Sequence, residues 1–184
     1  MSDTVIPIST GSSGGLDTQM YLRQVATSPT TTSTLTDGPI NFVFNPVTPF
    51  SPSTHLVWDS ASRSFISLVD NLCVCVSWQL FFRYTVSVVT QPFSTAGTVQ
   101  PVLVSATGSA NTTSTLGEPR LIEDITDVLP TASPLHVDMS INKKFVMDTA
   151  GDSFFLNYVR DTTPIALTHS IYGPSTVSVK TFKL

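Results

Sequence analysis

The sequence has little charge and little cysteine. Only 12% of its 184 residues are charged, about half of the roughly 25% typical of soluble domains. Nine basic and thirteen acidic residues give a net charge of −4, and only Arg23 is basic before Arg63. Because phosphate contacts need clustered Lys and Arg, this balance argues against a free-standing nucleic-acid binder. The two cysteines, Cys73 and Cys75, lie two residues apart, which is usually too far for a disulfide bond between them. The chain therefore has no disulfide scaffold.

The sequence also predicts neither a signal peptide nor a membrane span. The first residues have neither a charged nor an apolar leader region, so we expect synthesis in the cytosol. The apolar stretch 72–90 is long enough to cross a bilayer. It contains the polar residues Gln79 and Arg83, however, and its apolar residues recur at every second position, so a strand is predicted instead of a membrane span. Low charge combined with many serines and threonines indicates a surface that neighbouring copies cover.

A period of two is the clearest pattern present. Every even-numbered residue from 72 to 88 is apolar, whereas the odd positions are mixed. Such alternation predicts a strand with one buried face, spanning on the order of 55 Å. The residues predicted to form the structural core are Val74, Val76, Trp78, Leu80, Phe82, Tyr84 and Val86.

The rest of the chain divides into an arm and a β-rich domain. Residues 1–38 are rich in Ser, Thr and Gly and predict a flexible N-terminal arm. Residues 39–184 predict eight to ten strands, a loop at 107–117, one short helix at 119–129 and a turn at Gly173-Pro174. With no βαβ alternation, this pattern predicts an all-β fold, an antiparallel jelly-roll β-sandwich. The seven-stranded immunoglobulin sandwich is the second choice.

No motif in the chain names a reaction. A Gly-x-Ser-x-Gly elbow and a phosphate-binding glycine loop are both missing, so we expect no enzyme, no catalytic residue and no organic cofactor. Asp148 and Asp152 flank a glycine-containing loop and are candidate calcium ligands. The adjacent pair Lys143 and Lys144 is the candidate nucleic-acid contact, although such lysines often only protect a strand edge.

The polar arm, the β core at 39–184, the low charge and the missing catalytic signature together resemble one family. The chain is similar to the jelly-roll coat proteins of small non-enveloped icosahedral viruses. Many of these carry a basic arm, which this chain lacks, so the tymovirus-like and picorna-like members are closer. The resemblance implies a self-assembling capsid subunit, made in the host cytoplasm and located in the virion. Its partners would be further capsid subunits and a host receptor, with weak or absent nucleic-acid contact.

Two other functions fit the same composition. A trimeric receptor- or glycan-binding head, such as a viral fibre knob or a tumour-necrosis-factor-like domain, is also an all-β sandwich with little charge. Stalk repeats upstream would favour a fibre, and residues 1–38 contain none. A hydrolytic enzyme on a β scaffold is the third hypothesis, with three histidines available for a triad.

Overall fold

Thirteen β-strands form the regular structure of the described residues in a computed structural model of the chain. The structure describes residues 16–23, 32–42, 45–46, 54–86, 97–106, 111–122, 135–160 and 167–184. The strands are β1 (Leu16–Arg23), β2 (Thr32–Thr34), β3 (Gly38–Pro39), β4 (Asn45–Pro46), β5 (Leu56–Asp59), β6 (Ser64–Ser67), β7 (Leu72–Val86), β8 (Gly97–Ser105), β9 (Thr112–Thr115), β10 (Arg120–Leu121), β11 (Leu135–Met147), β12 (Ser153–Arg160) and β13 (Leu167–Lys183).

The strands form two antiparallel sheets. The six-stranded sheet has the order β11-β7-β13-β1-β4, with β2 also pairing with β13. The seven-stranded sheet has the order β10-β8-β12-β6-β5, with β3 beside β12 and β9 beside β8. Most sheet neighbours are distant in sequence, as in a jelly roll. The predicted all-β antiparallel sandwich is therefore confirmed, although short pairing segments raise the strand number above eight to ten.

The long alternating segment is β7, which lies inside the six-stranded sheet. It pairs with β11 starting from Leu72 opposite Met147. On its other side it pairs with β13, from Leu72 opposite Lys183 to Val86 opposite Leu167. Both edges of β7 are therefore hydrogen-bonded, and only its two faces remain to contact other groups.

The predicted turn at Gly173-Pro174 is wrong, because β13 continues through it. The register with β7 shifts between Tyr172 and Thr176, which marks a bulge. At this bulge the backbone N–H of Phe81 donates to Ser175 Oγ at 2.9 Å. A side-chain hydroxyl thus replaces the backbone acceptor that the irregular register removes.

The core lies between the two sheets. The even-numbered residues of β7 that the structure describes face inward and are at most 3% exposed: Leu72, Val74, Val76, Trp78, Leu80 and Phe82. From the seven-stranded sheet, Phe154 packs edge-on against Trp78 at 6.2 Å between ring centroids and stacks on Phe65 at 4.9 Å. Tyr84 and Val86 also belong to β7, but their side chains lie outside the described part.

Two predicted segments differ from the structure. Within 1–38, β1 pairs with β13 and β4, β2 pairs with β13, and β3 begins at Gly38, so these strands belong to the sandwich. The flexibility of the segment stays a prediction. The predicted helix at 119–129 is wrong at its start, because Arg120 and Leu121 form β10 opposite Val99 and Thr98. Residues 123–129 lie outside the described residues, which contain no helix.

Candidate functional site

The outward face of the six-stranded sheet brings polar residues of three strands into two rows. In one row Cys75 of β7 lies between Lys144 of β11 and Lys180 of β13. In the next row Ser77 lies between Asn142 and Ser178. Residues that are paired across an antiparallel sheet share a face, so all six side chains lie on the same side. Their neighbours along the strands, such as Val76 and Val179, are buried in the core.

These two rows surround a surface pocket, which we call the lysine pocket. Its volume is about 400 Å³, and its lining residues are Cys75, Val76, Ser77, Asn142, Lys143, Lys144, Ser178 and Lys180. No carboxylate contributes to the lining. The pocket therefore combines cationic and neutral hydrogen-bonding groups, a set suited to an anion that also carries hydroxyl groups.

The adjacent pair Lys143 and Lys144 does not act as one basic patch. Successive residues of a strand point to opposite faces, so only Lys144 shares the outward face with Cys75. Lys143 instead ends beside Gly117, where an added Cβ would overlap its Nζ. Gly117 has a φ of 123°, which favours glycine, and its carbonyl oxygen accepts from Gln100 Nε2 at 2.9 Å. Lys144 is therefore grouped with Lys180 on the outward face, and the nucleic-acid contact of Lys143 and Lys144 stays a prediction.

The two cysteines lie at one end of the outward face. Both are free thiols, with Cys73 buried and Cys75 half-buried. Burial raises the pKa of the Cys73 thiol, and the neighbouring Cys75 raises it further, whereas Lys144 acts in the opposite direction. Cys73 is therefore a weakly reactive thiol, because the thiolate is the nucleophilic form.

The candidate calcium ligands Asp148 and Asp152 have different surroundings. Asp148 is exposed, whereas Asp152 is 1% exposed. Asp152 Oδ1 accepts from the Ala106 N–H at 2.7 Å, and Oδ2 accepts from the Thr149 N–H at 3.1 Å. This carboxylate connects the 148–152 turn to the end of β8, so it has a structural role. Within the described ranges no group of three or more His, Cys, Asp or Glu is placed to hold a metal ion.

Among the residues that the structure describes, no helix is long and apolar enough to cross a bilayer.

Comparisons with known proteins give a likeness of fold. No family model matches the chain, and no curated protein matches it. Among solved structures, the chain is similar to the structure of Eiger TNF from S. frugiperda, with a TM-score of 0.55 and 11% sequence identity. The alignment covers 92% of this chain and 94% of that chain. The shared feature is a TNF-like jelly-roll sandwich.

Sequence reasoning found the strands of the lysine pocket but not the pocket itself. Lys180 and Ser178 are four and six residues from the last residue, and nothing in the local sequence relates them to Cys75 or Asn142. The available signal was the alternation along β13, which places Ser178 and Lys180 on the face opposite Val177 and Val179. Only the pairing of β13 with β7 turns that alternation into a site.

Proposed function

We propose that the chain is a homo-oligomeric, receptor- or glycan-binding head domain that assembles as a trimer. The supporting observation is the TNF-like jelly roll, which matches the neighbouring structure over nearly the full length of both chains. The sandwich supplies a rigid scaffold and leaves one face of a sheet free for contacts. No catalytic step belongs to this function.

The composition supports assembly. A chain with only 12% charged residues has a surface that is prone to association, which a symmetric oligomer uses productively. Large apolar side chains are exposed on both sheets, including Val146 at 39% and Phe182 at 36%. These two flank Cys73 on the outward face of the six-stranded sheet, so this end of the face is apolar. Contact with another copy would remove that apolar area from water.

The oligomeric state tests the proposal directly. Sedimentation velocity of the purified chain should give one species of three 19.8 kDa chains, about 60 kDa, at moderate salt. Charged substitutions at the apolar end, Val146→Asp or Phe182→Asp, should shift this species toward monomer. Leu68→Asp is the matched control, since Leu68 is 50% exposed in the loop after β6. A monodisperse monomer across protein concentrations would refute the proposal.

A viral capsid subunit is the second candidate. The jelly-roll sandwich and the low charge fit it equally well, and self-assembly is common to both functions. The Eiger TNF structure, one of those to which the chain is similar, is not a coat protein, which favours the head domain. Negative-stain images separate the two, because a capsid subunit forms closed shells of many copies and a head domain forms small discrete particles.

A further inference from the structure

We propose that the lysine pocket binds the oxyanion of an acidic glycan, either a sulfate ester or a sialic-acid carboxylate. This deepens the proposed head-domain function and rests on it, because the glycan would belong to the receptor that the head recognises. The binding groups are the ammoniums of Lys144 and Lys180, with Ser77, Ser178 and Asn142 as neutral hydrogen-bonding groups.

The geometry places the two ammoniums on opposite sides of one position. Lys144 and Lys180 both pair with Cys75, so their Cβ atoms lie about 10 Å apart across the sheet. Flexible lysine side chains can turn inward from that separation and contact the same anion. Cys75 between them is small and only half-buried, which leaves room above it for an oxyanion.

The electrostatics favour an anion at this place. The chain has a net charge of −4, yet all of its four lysines lie on β11 and β13, the two strands that flank β7. Lys144 and Lys180 are exposed, and the residues that line the pocket around them include no carboxylate. Their positive charge is therefore available to a ligand rather than used in the fold.

The second row of the pocket indicates that the ligand is a sugar. Ser77 and Ser178 offer hydroxyls that can donate or accept, and Asn142 offers an amide with both functions. Sugar hydroxyls need such mixed partners, whereas a nucleic acid would need a longer basic track and aromatic platforms for its bases. The lining contains no aromatic residue. An anionic sugar suits both rows, because its oxyanion can contact the lysines and its hydroxyls can contact the serines and Asn142.

The affinity of one site should be modest. Lys144 and Lys180 are exposed, so solvent screens their charges, and added salt should weaken binding further. A Kd in the millimolar range is therefore expected for one pocket and one sugar. Several pockets in one oligomer would bind a glycan-coated surface much more tightly through multivalency.

Calorimetric titration of the full chain in its native assembly tests the site. The probes are sulfated lactose, sialyllactose, lactose, inorganic sulfate and a short oligothymidylate. Sulfated lactose or sialyllactose should bind with a Kd in the millimolar range, and the stronger of the two identifies the oxyanion. Lactose should not bind measurably, and inorganic sulfate should bind more weakly than the acidic sugar.

The lysine variants assign the binding groups. Lys144→Gln and Lys180→Gln should each weaken binding of the acidic sugar by about tenfold. Lys183→Gln is the matched control, because it removes the same charge from β13 outside the pocket and should change Kd less than twofold. All three variants should keep the melting temperature of the parent, since Lys144 and Lys180 are exposed and Lys183 is half-buried at the strand end.

Several results would overturn the assignment. These are no binding of either acidic sugar by the parent chain, binding by the Lys144→Gln and Lys180→Gln variants that is as tight as that of the parent, and an affinity for inorganic sulfate equal to that for the acidic sugar. Tighter binding of oligothymidylate would replace the glycan with a nucleic acid. Failure of the glycan site is separable from failure of the head-domain function. A trimer that binds no acidic sugar would refute the glycan site and leave the proposed assembly standing. A monomer that binds the acidic sugar would refute the proposed assembly and leave the glycan site standing.

Discussion

Phe154 connects the two sheets in the core of the sandwich. It is fully buried, and its ring contacts three others: Phe65 at 4.9 Å, Phe145 at 5.1 Å and Trp78 at 6.2 Å between centroids. Phe145 and Trp78 belong to the six-stranded sheet, whereas Phe65 and Phe154 belong to the seven-stranded sheet. Phe154→Ala would therefore remove contacts within one sheet and between the two sheets at the same time.

The expected loss can be worked from these contacts. A buried Phe→Ala change costs about 3–5 kcal/mol in free energy of unfolding, because a cavity remains. Aromatic pairs add about 0.5–1.5 kcal/mol each beyond the buried area, so three pairs place Phe154 near the upper end of that range. For a chain of this length, each kcal/mol lowers the melting temperature by about 2–4 °C. Phe154→Ala should lower it by about 10–15 °C.

Phe155→Ala is the matched control on the same strand. Phe155 is half-buried, and its neighbours Phe154 and Leu156 are buried, so its ring lies on the outer face of the seven-stranded sheet. Its loss should cost about 1 kcal/mol. Thermal and urea unfolding at one fixed protein concentration would measure both variants. If Phe155→Ala proved as costly as Phe154→Ala, the assignment of the core to the inner face of β12 would be wrong.

Three further predictions concern other parts of the sandwich. Trp78→Asp should leave no soluble folded protein, whereas Ser77→Asp on the opposite face should fold, and solubility of the first variant would contradict the phase of β7. Asp152→Ala should lower the free energy of unfolding by about 3 kcal/mol in urea titration, since two backbone amides lose their acceptor; no change would refute that role. Iodoacetamide should alkylate Cys73 more slowly than Cys75 at mildly alkaline pH, and the Cys73 rate should still rise as pH increases, because a raised pKa leaves less thiolate. Faster labelling of Cys73 would contradict this.

Local periodicity predicted the parts of the fold that depend on one strand at a time. The alternation of β7 gives the inward face correctly from Leu72 to Phe82, because a buried face requires apolar residues at every second position. The hairpin of β5 and β6 was also predictable, since Asp59, the last residue of β5, leads into its turn. The Asp59 carboxylate accepts hydrogen bonds from the Ser62 hydroxyl and from the Ala61 and Ser62 amides, which hold the turn and lower the pKa of Asp59.

Pairing between strands that are distant in the sequence determines the parts of the fold that the local sequence does not predict. Arg120 and Leu121 follow a proline and precede a helical spacing of apolar residues, yet pairing with Thr98 and Val99 makes them a strand. The loop predicted at 107–117 contains β9, whose threonines are β-branched and suit a strand beside β8.

Pro101 is a second residue whose position in the fold depends on strand pairing. It interrupts the sequence of β8 and predicts an edge or a strand start. In the structure it lies inside β8 opposite Leu156, but it falls between the ladder with β10, which ends at Val99, and the ladder with β9, which begins at Val102. No strand pairs with β8 on that side at Pro101, so its missing N–H costs no ladder bond. Its carbonyl oxygen still accepts from the Leu116 N–H at 2.8 Å.

The position of β7 has a consequence for how the chain folds. Both of its hydrogen-bonding partners come later in the sequence, and Leu72 pairs with Lys183 almost at the end of the chain. Contacts between such distant segments must overcome a large loop-closure entropy before they stabilise anything, which slows folding. During synthesis β7 emerges first, with its apolar face uncovered and both edges unpaired. Substitutions that reduce the aggregation propensity of this strand should therefore raise the yield of soluble protein more than they raise the free energy of unfolding.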